Sequence, residues 1–342
     1  MNPKVTVLMP VYNGARYLTD AVGSVLGQDF TDFELLIIDD GSVDSSVKVI
    51  ESYADPRIRL LKNGKNRGLV MTLNRGLEEA KGEYIARMDC DDICIRSRLS
   101  SQVRFMEKNK NLGACGSFYY LLRNGKKVIA DFPVSNEEIK AYLVFNSPMA
   151  HPSVMIRRSV IGKHNLKYDP DFIHCEDYDL WSRLAEYSEL GNCPEILLEY
   201  RVHEGQITGN EKFFSAKAKS LDTIRTRELG KIGIIPTPEE LRVHNIISNG
   251  EKPATPELFQ QAESWLEKLL VQNEQGKKLN KGYFEKIILE RWLRLCYNHL
   301  GWKKGFRYFY GSAVYRKVRL PIVLKLALFR QVFYSYKRKK QG

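Results

Sequence analysis

The chain has 342 residues, of which 43% are apolar and 27% charged. This length and composition suit one large α/β domain with a smaller extension, and they exclude a fibrous or low-complexity protein. The net charge of +12 is concentrated near the C-terminus, because residues 301–342 contain twelve Lys or Arg and neither Asp nor Glu. Residues 1–300 are therefore neutral, which argues against a nucleic-acid-binding protein.

The cysteines and the N-terminal residues indicate the cellular compartment in which the protein is expected. The six cysteines are scattered without a Cys-x-x-Cys pair, so we expect free thiols in a reducing cytosol and no zinc site. The first residues lead directly into a five-residue apolar run, which is too short for the apolar region of a secretory signal. We therefore expect a cytoplasmic protein.

The first hundred residues alternate between apolar strand-like runs and amphipathic helical patterns. The predicted strands are 5–9, 34–38, 58–61 and 84–88, and the predicted helices are 15–26, 45–53 and 70–80. Such alternation predicts βαβ units with right-handed crossovers and a mostly parallel sheet. The expected fold class is therefore a Rossmann-like α/β domain.

The pattern is less regular after Asp92. The predicted elements are a helix over 98–108, a hairpin around Asn124-Gly125, a capped helix from 135 toward 145, a strand over 153–156, a helix over 178–187 and a last strand over 196–200. From about 212 the pattern is helical, with Pro236, Pro238, Pro253 and Pro256 as breaks. We expect a domain over 1–210, with a nucleotide half at about 1–95 and an acceptor half at about 96–210. A helical region over 211–342 follows a boundary near 209–212.

Two acidic clusters each follow an apolar run directly. Asp39 and Asp40 come after the second predicted strand, and Asp89, Asp91 and Asp92 come after the fourth. Ligand-binding residues of α/β sheets lie just beyond the carboxyl ends of the strands, where crowded carboxylates repel one another unless a cation compensates them. An Asp-x-Asp step suits Mg²⁺ or Mn²⁺ that also binds a diphosphate. The alternative is two solvated turns, which the pairing of the clusters makes the weaker interpretation.

Seven short motifs occur along the chain, and their order is informative. They are Val7-Leu8-Met9-Pro10-Val11-Tyr12-Asn13, Asp39-Asp40-Gly41-Ser42, Asn66-Arg67-Gly68-Leu69, the segment 81–92, His151-Pro152-Ser153, Glu176-Asp177-Tyr178-Asp179 and Tyr200-Arg201-Val202-His203. Over roughly residues 3–208 the chain resembles family 2 glycosyltransferases, the inverting enzymes of the glycosyltransferase A fold. The Gln-x-x-Arg-Trp signature of processive polysaccharide synthases is absent, so the resemblance implies addition of one sugar per encounter.

The resemblance implies a nucleotide-sugar donor site. Pro10 and Tyr12 would flank the base, and Asp40 would accept a hydrogen bond from a pyrimidine N–H, although a helix-capping role for Asp40 stays open. Asp89 would bind the ribose or a metal-bound water, and Arg201 would contact phosphate.

The same resemblance implies a divalent cation, Mn²⁺ or Mg²⁺. Asp91 would be the direct metal ligand, with His203 as a further ligand or a diphosphate contact, and a neutral imidazole suits Mn²⁺ better than Mg²⁺. Asp92 would support the loop. The metal would neutralise charge on the leaving nucleoside diphosphate.

Asp177 is the expected general base, since inversion requires in-line attack by an acceptor hydroxyl whose proton must be removed. Glu176 and His151 would support the site, and Asp179 would be structural. The alternative is that the acids from Glu176 to Asp179 only complement the dipole at the start of a helix.

The expected function is transfer of a sugar from a nucleotide-diphospho-sugar, with UDP as the favoured carrier, to a hydroxyl of a lipid-linked glycan in bacterial polysaccharide synthesis. Capsule, O-antigen and exopolysaccharide remain open. The alternatives are a non-catalytic membrane scaffold of the same fold and a sugar nucleotidyltransferase.

The C-terminal tail adds a membrane prediction. Within 315–340 the apolar stretch is about a dozen residues, short of the ~20 that span a bilayer. Basic and aromatic residues around it favour peripheral binding to an anionic membrane at its inner face. The alternative is a helix packed on its own domain with a solvated basic end.

Overall fold

The structure is a computed structural model that describes residues 2–123, 125–203, 214–326, 328, 329 and 332. The chain divides into two compact units. The first comprises Met1–Asn136 with Ser147–Ser220, and the second comprises Glu137–Asn146 with Leu221–Gly342. The boundary expected near 209–212 lies outside the described residues.

The first unit contains a nine-stranded sheet. Its strands are β1 Val5–Val11, β2 Phe33–Asp39, β3 Ile58–Lys62, β4 Tyr84–Arg87, β5 Ile93–Cys94, β6 Leu112–Arg123, β7 Lys126–Ala130, β8 Met155–Arg157 and β9 Glu189–Arg201. The order across the sheet is β3-β2-β1-β4-β8-β6-β9-β5, and β7 pairs with β6.

The four N-terminal strands pair in parallel and place three chain segments at one edge of the sheet. Val5 lies opposite Phe33 and Val11 opposite Asp39, so β1 and β2 end together. β4 runs parallel to β1 on its other side. β1, β2 and β4 are buried almost throughout, as central parallel strands require, whereas the edge strand β3 is only partly buried. The residues that follow β1, β2 and β4 therefore emerge at the same edge.

The remaining pairings make the sheet mixed. β8 is antiparallel to both β4 and β6, β5 is antiparallel to β9, and β6 runs parallel to β9. β7 is antiparallel to β6, which confirms the predicted hairpin, although Asn124 itself lies outside the described residues. The predicted strand over 153–156 is wrong at its start, because residues 151–153 form a short 3-10 helix before β8.

Twelve helices are described; some of them pack on the sheet of the first unit and the others form the second unit. They are α1 Ala15–Leu26, α2 Ser46–Glu51, α3 Leu69–Glu79, α4 Arg98–Lys108, α5 Asn136–Leu143, α6 Arg158–Lys163, α7 Glu176–Leu184, α8 Phe214–Lys231, α9 Pro238–Asn249, α10 Pro256–Gly276, α11 Lys281–Gly311 and α12 Ala313–Lys317. The apolar side of α1 packs into the core of the first unit through Leu18, Val22 and Val25. Its amphipathic pattern is thereby explained.

The second unit is helical, as predicted, with a core of its own. α9 and α10 begin at Pro238 and Pro256, where a missing N–H costs nothing, and Thr237 and Thr255 cap them. The buried guanidinium of Arg225 donates to the carbonyl of Phe145 and to Asn146, which fixes the short 137–146 segment in this unit. Among the described residues, no helix is both long and apolar enough to cross a membrane.

Candidate active site

Three segments meet at the carboxyl edge of the parallel strands. Pro10 is buried in β1 opposite Ile38, and Tyr12 follows the strand with 49% of its surface exposed. The turn after β1 is bound to the loop after β2, since the backbone N–H of Asn13 donates to the hydroxyl of Ser42 at 2.9 Å. Tyr12 is thus held at the sheet edge with about half of its surface exposed.

Asp40 is buried at the end of β2 and organises the loop before α3. One carboxylate oxygen accepts from the side chain of Asn63 at 2.7 Å and from the backbone N–H of Arg67 at 2.9 Å. The other accepts from the backbone N–H of Gly68 at 2.9 Å. Gly68 has a φ of 89°, which favours glycine. Since a carboxylate offers about four acceptor positions, one remains for another donor.

Asp89, Asp91 and Asp92 converge beyond β4. One ligand atom from each lies within 4.8 Å of the others, a grouping that could hold a metal ion. Asp92 is fully buried, and burial raises its pKa well above the usual value, with Asp89 and Asp91 raising it further. Its Oδ1 accepts from the backbone N–H of Arg201 at 3.1 Å, whereas its buried Oδ2 has no partner. A cation is the natural compensation for this excess of negative charge.

β9 brings His203 and Arg201 to the same acids. The Nε2 of His203 lies 2.9 Å from Oδ2 of Asp91, and its ring stacks on Tyr17 with centroids 4.5 Å apart. The guanidinium of Arg201 donates to the carbonyl of Asp91 at 2.5 Å and to Asp20 at 2.8 Å. α1 therefore positions both residues through Tyr17 and Asp20.

Arg87 is a buried cation that the sequence interpretation missed. Its two terminal nitrogens bind both carboxylate oxygens of Asp89 at 2.5 Å. Burial raises the pKa of Asp89, and the charge of Arg87 opposes that rise. The Nε of Arg87 is buried without a partner. The sequence places Arg87 at the end of an apolar strand and only two residues before Asp89.

The N-terminus of α7 supplies a second acidic group. Burial raises the pKa of Asp177, whose Oδ2 accepts a hydrogen bond from the hydroxyl of Ser147 at 3.2 Å. Glu176 is buried beside it, and this burial together with the charge of Asp177 raises the pKa of Glu176 to about 7. Asp179 instead pairs with Arg183 one turn along the helix, which is a structural role. Carboxyl groups with raised pKa values are suited to accept protons near neutral pH.

His151 lies beside this second acidic group in the 3-10 helix. Its Nε2 is 2.9 Å from the hydroxyl of Tyr168, and its Nδ1 is 4.0 Å from Glu176. Burial lowers the pKa of His151 well below its usual value, and the charge of Arg87 lowers it further. The imidazole is therefore neutral at physiological pH and acts as a dipolar neighbour of Glu176.

The two acidic groups influence one another. The charge of Asp89 raises the pKa of Glu176, and the charge of Arg87 lowers the pKa of both Glu176 and Asp177. The structure thus brings together Asp89, Asp91, Asp92, Arg201 and His203 as one cluster, and His151, Glu176 and Asp177 as a second within electrostatic range. Pro10, Tyr12 and Asp40 lie at the same sheet edge, after β1 and β2.

The chain is similar to known glycosyltransferases. The family model described as "Glycosyl transferase family 2" matches residues 6–164. An uncharacterised glycosyltransferase of Haemophilus influenzae is 31% identical over 261 residues, covering 72% of this chain and 79% of the relative. A second relative, the UDP-Glc:alpha-D-GlcNAc-diphosphoundecaprenol beta-1,3-glucosyltransferase WfgD of Escherichia coli, is 29% identical over 60% of this chain and 80% of its own length.

Solved structures share the fold at low sequence identity. S. aureus TarS 1-349 in complex with UDP-GlcNAc has a TM-score of 0.57 and 15% identity, covering 92% of this chain and 91% of that chain. The mannosyltransferase PcManGT from Pyrobaculum calidifontis, in complex with GDP-Man and Mn²⁺, has a TM-score of 0.55 and 17% identity, covering 84% and 86%. The glycosyltransferase A fold expected from the sequence is confirmed.

Proposed function

The chain belongs to glycosyl transferase family 2, and we propose that it transfers one sugar, with inversion, from a UDP-sugar to a hydroxyl of a lipid-linked glycan. The product would serve bacterial polysaccharide synthesis. The choice of carrier and acceptor is supported by WfgD, whose name specifies UDP-Glc and a diphosphoundecaprenol-linked acceptor. The observation that carries the proposal is the pair of acidic groups, around Asp91 and Asp177, that interact electrostatically within one unit.

Donor binding is assigned to the sheet edge. The exposed face of Tyr12 stacks on the base beside Pro10, and the unused acceptor position of Asp40 receives the pyrimidine N–H. Asp89 accepts from the ribose or from a metal-bound water. Arg201 contributes positive charge toward phosphate while Asp20 holds its guanidinium.

The acidic cluster fits a divalent cation, Mn²⁺ or Mg²⁺. The fit rests on the buried, unpartnered Oδ2 of Asp92 and on three carboxylates whose mutual repulsion needs a positive charge. Asp91 and His203 would hold the ion, with Asp92 in support, and an imidazole among the ligands favours Mn²⁺. When bound, the ion neutralises charge that develops on the leaving diphosphate.

Asp177 performs the proton transfer. The hydroxyl of Ser147 and the backbone N–H of Tyr178 orient the Asp177 carboxylate, which takes the proton of the acceptor hydroxyl. The deprotonated oxygen attacks the anomeric carbon on the face opposite the diphosphate, so the C–O bond to the diphosphate breaks as the new bond forms and the configuration inverts. Glu176 and the neutral His151 keep the surroundings of Asp177 weakly solvated.

The test measures release of nucleoside diphosphate from a panel of sugar nucleotides, with and without Mn²⁺. We expect release from a UDP-sugar that stops in excess EDTA and in Asp91→Ala, whereas the exposed control Asp171→Ala retains it. NMR of the transferred product should show an inverted anomeric centre. Full turnover in EDTA would refute the metal assignment, and retention of configuration would refute the assignment of Asp177.

The proposal also places the enzyme in the cytoplasm, peripheral at the inner face of an anionic membrane. The support is the run of twelve basic and no acidic residues in 301–342. Each basic residue near an anionic surface contributes about 1 kcal/mol of attraction, which salt screens. Residues 327, 330, 331 and 333–342 of this region, including five of the twelve, lie outside the described residues.

A further inference from the structure

A cluster of exposed apolar side chains lies in the second unit on one turn of helix at residues 322–326, which we call the apolar turn. Ile322 and Val323 are 70% and 72% exposed, and Leu324 and Leu326 are 47% and 50% exposed. Elsewhere in the described parts of the chain, large exposed apolar residues occur singly or, as at Val128 and Ile129, as a pair. Four in five consecutive positions is a concentration that marks an interaction site.

The apolar turn is held in place by buried neighbours on both sides. Val318 before it and Leu328 after it are buried in the core of the second unit. Lys325 points back toward its own unit, where its Nζ donates to the carbonyl of Val318 at 2.8 Å and lies 4.2 Å from the centre of the Tyr315 ring. The exposure of Ile322 and Val323 is therefore a property of the folded unit.

Basic residues precede the same segment along the chain, and two of them, Lys317 and Arg319, also act on Glu274 in the same unit. Arg316, Lys317 and Arg319 are exposed just before Pro321, and the backbone N–H of Arg319 donates to Glu285 at 3.0 Å, which fixes the approach to the turn. Residues 301–342 contain no acidic residue. A second copy of this chain would bring like charges together, whereas an anionic bilayer offers both negative headgroups and an apolar layer.

We propose that the apolar turn inserts into the interfacial layer of an anionic lipid bilayer, with Arg316, Lys317 and Arg319 contacting the headgroups. The inference rests on the membrane location in the proposed function and identifies the element responsible. It differs from attraction by a basic tail alone, because Ile322 and Val323 contribute binding that salt does not screen. The mode is that of an interfacial anchor, not a membrane span.

The experiment is co-sedimentation of the full-length protein with vesicles of phosphatidylcholine containing phosphatidylglycerol. We expect Ile322→Ser/Val323→Ser to reduce the partition coefficient about tenfold. The matched control is Ile235→Ser, since Ile235 is 91% exposed in the same unit but lies outside the turn. Equal binding of the double variant and the wild type would overturn the proposal.

A second pair of variants separates charge from insertion. Arg316→Gln/Lys317→Gln should lose binding chiefly at low salt, and the exposed pair Lys108→Gln/Lys110→Gln should not. The proposal would also be overturned if the wild type did not bind vesicles and instead formed a dimer in sedimentation velocity. In that case Ile322→Ser/Val323→Ser would dissociate the dimer. All these variants should release nucleoside diphosphate from a soluble donor normally, so a failure of the proposed function is recognised independently.

Discussion

Arg87 and Asp89 form a two-pronged ion pair at the end of β4, with both N–O distances at 2.5 Å. The Arg87 side chain is 4% exposed and that of Asp89 is 28% exposed. Burial raises the pKa values of Asp92, Glu176 and Asp177, and the charge of Arg87 opposes each of these rises. One buried cation thus partly compensates both acidic groups of the candidate active site.

Replacement of this cation should destabilise the fold. In Arg87→Met the carboxylates lose their compensation, and breaking a buried pair by removing one partner costs about 3–5 kcal/mol. We expect that loss in the free energy of unfolding measured with urea, and we expect Mn²⁺ to restore part of it because the ion supplies positive charge at the same acids.

The matched control is Arg96→Met, which removes an exposed arginine beside the same loop. It should change the free energy of unfolding by less than about 0.5 kcal/mol. Equal stability of Arg87→Met and the wild type would show that solvent already screens the acids.

Asp177→Asn should separate catalysis from donor binding. The amide keeps the shape of the side chain but cannot accept the proton, so turnover should fall by about 10²–10⁴. Donor affinity, measured by calorimetry with a UDP-sugar, should barely change. Asp171→Asn, which changes an exposed acid, serves as the control. If Asp177→Asn retained normal turnover, Glu176 would become the leading candidate for the base.

The raised pKa of Glu176 should make the free energy of unfolding depend on pH. Its pKa is raised to about 7 in the folded protein from an ordinary value of 4.5, so the folded state holds this proton more tightly than the unfolded state. The associated stability is complete below pH 4.5 and is lost as the pH rises through 7. Relative to the wild type, Glu176→Gln should gain about 2–3 kcal/mol between pH 5 and pH 8.5. Urea unfolding at both pH values measures this gain, and Glu189→Gln, an exposed control, should show none.

Asp40→Ala should affect the fold as well as donor binding. The substitution removes the acceptor of Asn63 and of two backbone N–H groups, and losing these part-buried hydrogen bonds should cost about 1–3 kcal/mol in total. We expect a lower urea midpoint together with weaker binding of a UDP-sugar. The exposed acid Asp131 provides the control, Asp131→Ala. An unchanged midpoint would mean that water satisfies these donors in the variant.

The N-terminal half was largely predictable because its signals are local. The helix over 98–108 is confirmed to the residue, and the strands that precede Asp40 and Asp89 are confirmed within one or two residues. Continuous apolar runs and amphipathic periodicity depend on sequence spacing alone. The second half was less predictable: β9 begins at Glu189, well before the predicted strand at 196, because this segment lies against β6 and includes bulges that interrupt its pattern.

The sequence by itself determined the alternating α/β plan, the order of the motifs and the acids that follow the strands, because each depends on neighbours along the chain. Only the tertiary structure decided which groups compensate those acids. Tyr17 and Asp20 meet His203 and Arg201 across more than 180 residues of sequence, and Ser147 meets Asp177 across thirty. Burial, which sets the pKa of Asp92 and Glu176 and exposes Ile322 beside a buried Leu328, exists only once distant segments have packed together.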